Sequence, residues 1–161
     1  MHSYDRFGKK AVRLATLFTI CLWAVPAFAE QLPAKFLGVW QLNLDKSTYD
    51  PGPPPAPPAT NITTIEKVGA EVRMTVDNVN AQGEKNHTVT VVTLDGKDNP
   101  VQGMQGLTRS FKLVDANTFE WTQKSETRPP STTRVALGVD GKTVSVTSSA
   151  NKNTLVFDRK K

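Results

Sequence analysis

The sequence predicts an all-β domain folded as an antiparallel up-and-down meander barrel of about 8–10 strands. Three observations carry this. Apolar residues recur with a period of two along most of the second half of the chain. Turn-forming clusters built on Gly, Asn and Asp separate these runs at short, even intervals. No long crossing connection interrupts them, so each strand is free to pair with the next, and closing such a meander removes its two exposed edges. A sandwich fits the alternation equally well but calls for longer crossing loops.

The chain begins with a different kind of segment. Arg6, Lys9, Lys10 and Arg13 face a single acid, Asp5, and an apolar run covers residues 14–25. Pro26 breaks any helix there. Ala27-Phe28-Ala29 places small residues at the two positions read by signal peptidase. Residues 1–29 therefore read as a cleaved signal peptide, and the chain is expected to be exported to a periplasm or beyond the cell. The apolar run is shorter than the roughly 20 residues of a membrane span, so no stable span is expected after cleavage. Cys21 lies inside the run behind Ile20, which does not suit a lipoprotein signal, and no Arg-Arg pair marks a twin-arginine signal.

Removing 1–29 leaves 132 of 161 residues and takes away four of 20 Lys+Arg and one of 15 Asp+Glu, so the net charge falls from +5 to +2. That balance gives no electrostatic case for nucleic acid. The only cysteine, Cys21, is also removed, which leaves an ordinary hydrophobic core in one domain, 30–161, to hold the fold.

Strands are expected at 36–43, 60–68, 71–79, 86–94, a short piece near 100–102, 107–114, 119–126, 132–139, 143–149 and 153–159. In the third, Val72, Met74 and Val76 alternate with Glu71, Arg73 and Thr75. In the sixth, Leu107, Arg109, Phe111 and Leu113 share one face, and in the seventh Phe119 and Trp121 do so. Val135, Leu137, Val144, Val146, Leu155 and Phe157 repeat the pattern later on. Asp95-Gly96 and Asp140-Gly141 read as tight turns. The proline-rich loop 50–58 cannot be helix or central strand and reads as a stiff, extended connector.

Phe36-Leu37-Gly38-Val39-Trp40-Gln41-Leu42 resembles the first-strand signature of the lipocalin and fatty-acid-binding-protein (calycin) superfamily, in which Gly-x-Trp opens the barrel. Ser47-Thr48-Tyr49-Asp50 and the final Thr154-Leu155-Val156-Phe157-Asp158-Arg159 resemble the fatty-acid-binding branch. The resemblance implies a lipocalin-like secreted domain of bacterial type, with a barrel holding a small apolar molecule. It also implies that Trp40 plugs the closed end under an arginine, Arg159 first and Arg134 second. A guanidinium over an indole is worth about 0.5–2 kcal/mol. Two departures stand out. The proline-rich loop occupies the place of that branch's two lid helices. Its carboxylate-binding Arg-x-Tyr is matched by Leu155 and Phe157, which cannot hold a negative charge.

Arg109 is the residue with most chemical interest. If it points inward it needs an acid or an anionic ligand, whose tail would lie against Phe111, Trp121 and Met74. Alternatively it sits near the strand end, its stem on apolar surface and its charge in water. Phe119 and Trp121 suit a core as well as a site. His87, the one histidine beyond the signal, makes neither a metal site nor a catalytic triad. Asp95 and Asp98 offer too few oxygens for calcium. Asn61-Ile62-Thr63 and Asn86-His87-Thr88 match the glycosylation pattern but lie in expected strands. No catalytic constellation, metal or cofactor is expected. The reading is a non-enzymatic, exported protein binding a small apolar or weakly polar ligand, with an envelope structural or protein-interaction module, its barrel filled, as the alternative.

Overall fold

The computed structural model describes residues 31–49 and 57–161. The expected signal, 1–29, and residues 50–56 of the proline-rich loop lie outside them. Within them the chain is all-β. A three-residue 3-10 turn, Ala34–Phe36, precedes ten strands: β1 Gly38–Thr48, β2 Thr60–Val68, β3 Glu71–Val79, β4 Lys85–Val92, β5 Asn99–Pro100, β6 Leu107–Asp115, β7 Thr118–Ser125, β8 Ser131–Leu137, β9 Thr143–Ser148 and β10 Thr154–Arg159. They form one antiparallel sheet in the order β4-β3-β2-β1-β10-β9-β8-β7-β6-β5. Every ladder joins consecutive strands except that of β1 with β10, Trp40 opposite Arg159 and Leu42 opposite Phe157, and β4 and β5 form the two edges of the sheet.

The sheet curls until its two edges meet. Val89 on β4 and Gln102, just past β5, exchange two backbone hydrogen bonds of 3.1 and 2.8 Å. That single bridge makes the barrel nearly closed. Gly103 allows it: its φ is +88°, and a Cβ there would lie 2.4 Å from the His87 carbonyl oxygen.

The fourth and eighth strands end two residues short of expectation, at Val92 and Leu137, and two further strands are corrected. The first strand begins at Gly38, not at residue 36, and runs on to Thr48. Its register with β10 breaks between Asn43 and Thr48, where Asn43 Oδ1 accepts from the Lys46 amide and Ser47 Oγ donates to the Asn43 carbonyl. This bulge spoils the alternation that marks a strand in sequence, and it leaves Leu44 exposed. The fifth strand is Asn99–Pro100, short of 102, because Gln102 turns from β6 to reach β4.

Period-two alternation sends one face of every strand inward. Phe36, Trp40, Phe119 and Val92 are almost wholly buried, and Val72, Leu94, Phe111, Val135 and Phe157 join the same core. Phe36 meets Phe119 edge-on at 5.0 Å between ring centres, and Phe111 stacks near Phe119 at 6.3 Å. Such pairs add about 0.5–1.5 kcal/mol each beyond the area they bury.

Candidate functional site

The closed end of the barrel is sealed by Trp40 and Arg159. The Arg159 guanidinium lies 4.1 Å from the Trp40 ring centre. It donates to the carbonyls of Leu37 (2.7 Å), Gly141 (3.3 Å) and Lys35. Trp40 Nε1 donates to the Phe36 carbonyl at 2.8 Å. Gly38 belongs to the same assembly. Its φ is +125° and a Cβ would lie 2.8 Å from Arg159 Nη1, so glycine is required two residues before the tryptophan. Arg134, the second candidate for this role, is on the outer wall, paired with Glu120 at 2.9 Å.

Toward the other end the barrel is not filled. A cavity of about 200 Å³ opens between the sheet's inner faces. Its walls include Met74, Val76, Trp121, Val146 and Leu155, with Trp40 and Phe119 beneath. Asn61 and Thr63 on β2 and Arg109 on β6 supply its polar groups. Below it, among Val72, Val92, Leu94 and Phe111, only about 10 Å³ of space remains, close to the size of one water.

Arg109 has the inward orientation that its parity suggests, and it is the charged side chain lining this cavity. Its Nε and Nη2 donate to the Gln123 Oε1 at 3.1 and 3.0 Å. Gln123 faces it across the β6–β7 ladder. The guanidinium carbon lies 5.9 Å from the Trp121 ring centre. Among the described residues no carboxylate lies within 4.0 Å of it. Burial pulls the Arg109 pKa below its ordinary value, but arginine stays charged.

Of the other residues named with Arg109, Met74 and Trp121 are in the cavity wall and Phe111 is not. Phe111 is opposite Trp121 across the β6–β7 ladder, 5.7 Å between ring centres. Leu155 and Phe157, in place of a carboxylate clamp, give the cavity apolar wall on the β10 side. Sequence reasoning missed Asn61, Thr63 and Gln123. Asn61 and Thr63 are in phase with Ile65, so parity alone carried the signal. The glycosylation pattern drew attention to Asn61 for a different reason, and its side chain is turned into the cavity.

Elsewhere the sites weighed in sequence take other forms. His87 Nδ1 lies 2.6 Å from Asp77 Oδ1 on the exposed outer wall. Asp95 Oδ1 accepts from the Lys97 amide at 3.0 Å and shapes a turn. Among the described residues no group of three His, Cys, Asp or Glu is placed to hold a metal ion. No helix among them is long and apolar enough to cross a membrane.

The fold has known counterparts. The chain is similar to the crystal structure of the fluorescent protein UnaG, with 19% identity, a TM-score of 0.53, and coverage of 78% of this chain and 98% of that one. A single-substitution mutant of the same protein gives 18% identity, a TM-score of 0.54, and coverage of 79% and 97%. No family model matches the sequence. No curated protein matches it either.

Proposed function

We propose that this chain is an exported, non-enzymatic binding protein that holds one small, apolar or weakly polar ligand inside its barrel. The observation that carries the reading is the cavity of about 200 Å³, walled mainly by apolar side chains and placed over a packed floor. Protein interiors are ordinarily filled to crystal-like density, so an unfilled, lined space is a feature to explain. An apolar cavity of about 150 Å³ takes up one benzene ring. Drug-sized ligands occupy pockets of about 300–1,000 Å³. The space here suits a ligand of one or two rings.

Export rests on the signal-like segment 1–29, and the lipocalin-like secreted character on the resemblance of the first and last strands. The alternative is an envelope structural or interaction module. The packed half of the barrel, with Phe36, Trp40 and Phe119 filling its end, favours it. Native mass spectrometry of protein purified from its own envelope fraction separates the two. A co-purifying small molecule is expected. Apo protein that also fails to take up hydrophobic fluorescent probes would favour the module, and recovery of the uncleaved chain in the cytosol would remove the export.

A further inference from the structure

We propose that the ligand is an aromatic carboxylate of one or two rings, its ring against Trp121 and its carboxylate on Arg109. This deepens the binding reading and rests on it. Arg109 is half-buried at the cavity wall, and turning an arginine inward removes part of a cation's hydration, a loss normally offset by a carboxylate. Arg109 has a carbonyl instead. Gln123 Oε1 is neutral and accepts from Nε and Nη2 together. It therefore occupies one edge of the guanidinium and fixes its plane. The other edge, Nη1 with the second N–H of Nη2, has no protein acceptor among the described residues. That edge is the fork that takes a carboxylate through two parallel hydrogen bonds.

The remaining wall agrees with this placement. Trp121, in contact with Phe111 on the neighbouring strand, offers a ring face beside the guanidinium. Met74 and Leu155 supply soft apolar wall. Asn61 and Thr63 are polar and uncharged, so they do not compete for the anion. The cavity walls carry no carboxylate that would repel one.

The test uses calorimetry on the full chain with two matched pairs: 2-naphthoate against 2-naphthamide, and benzoate against benzamide. Each amide keeps the shape and loses the charge. At least one acid is expected to bind about tenfold or more tightly than its amide, the ratio that a charge-assisted hydrogen bond supplies. Arg109→Met is expected to erase the ratio while keeping the amide's affinity, and naphthoate is expected to shift the Trp121 indole N–H resonance. Arg109→Met is not expected to lower the unfolding midpoint of the unliganded protein, since it removes a half-buried cation that no carboxylate among the described residues neutralises. Equal affinities of acid and amide in the wild type would overturn the anion site and leave the cavity reading standing. A ratio that persists in Arg109→Met would do the same. Binding of none of the four at millimolar concentration would overturn both. The wild-type comparison does not depend on a variant that folds.

Discussion

The two ends of this barrel are made by the same strands and stabilised by different means. At the closed end aromatic rings fill the space, and one arginine ties three loop carbonyls over Trp40. At the open end the inward positions become polar. Asn61, Asn78 and Asn86 lie opposite one another across β2, β3 and β4. Arg109, Gln123 and Ser131 do so across β6, β7 and β8. The turns follow the same division. Asp95, Asp115 and Asp140 each accept a backbone amide two residues on, and all three shape closed-end turns. At the open end Asn80, Ser148 and Asn151 do the equivalent work without charge. One end is thus filled and tied by charged groups, and the other is lined by polar side chains around unfilled space.

The sharpest way to break this comparison is to remove a tryptophan from each end. Trp40→Ala leaves a void in packed surroundings and is expected to cost about 3–5 kcal/mol in urea unfolding. Trp121→Ala, beside a space that already exists, is expected to cost about 1–2 kcal/mol. Equal costs would show that the open half is as tightly built as the closed one.

Backbone closure comes next. Gly38→Ala forces a Cβ toward Arg159 at a φ of +125°, and a loss of about 1–3 kcal/mol is expected in thermal melts. Gly103→Ala strains the bridge at the seam instead. Its signature is faster hydrogen exchange at the Val89 and Gln102 amides, whose bonds to each other close the barrel.

The smallest effect concerns pH. The Lys97 amide and side chain hold the Asp95 pKa down to about 2. The Asn117 amide lowers that of Asp115, and the Lys142 amide that of Asp140. All three lie below the unfolded value of about 3.9. Their contribution is therefore complete above that value and is lost as pH falls through the folded values. In an NMR titration below pH 4 the amide resonances of Lys97, Asn117 and Lys142 are expected to move. Those of Ala150 and Asn153, held by neutral acceptors, are expected to stay still. Movement of both sets together would show that acid loosens the barrel as a whole.

Much of this architecture was legible in sequence because alternation reports which face is buried. Met74, Phe119, Trp121, Val144 and Phe157 are inward as their parity requires. The bulge after Asn43 was hidden, since side-chain hydrogen bonds and not hydrophobicity set it. The cavity was hidden for a related reason. Parity shows that Arg109 faces inward but not how far the opposite wall stands off. Gln123 could not be paired with Arg109 until the β6–β7 register was known. Phe111 has the same parity as Arg109, yet it lies against Val72, Val92 and Leu94 around the nearly filled space and not in the cavity wall.

The β1–β10 pairing has a consequence for how the chain can be cut. It is the one ladder in the sheet that joins strands distant in sequence. At the opposite side of the barrel, β4 and β5 are consecutive in sequence yet form no ladder, and the seam there is the bridge from Val89 to Gln102 just past β5. A circular permutant that links the end of β10 to the start of β1 and opens the chain between β4 and β5 would run as one uninterrupted meander. Every ladder would then join consecutive strands, while the Trp40–Arg159 seal would become a local contact. Contact order would fall, and folding would be expected to quicken with little change in the finished barrel.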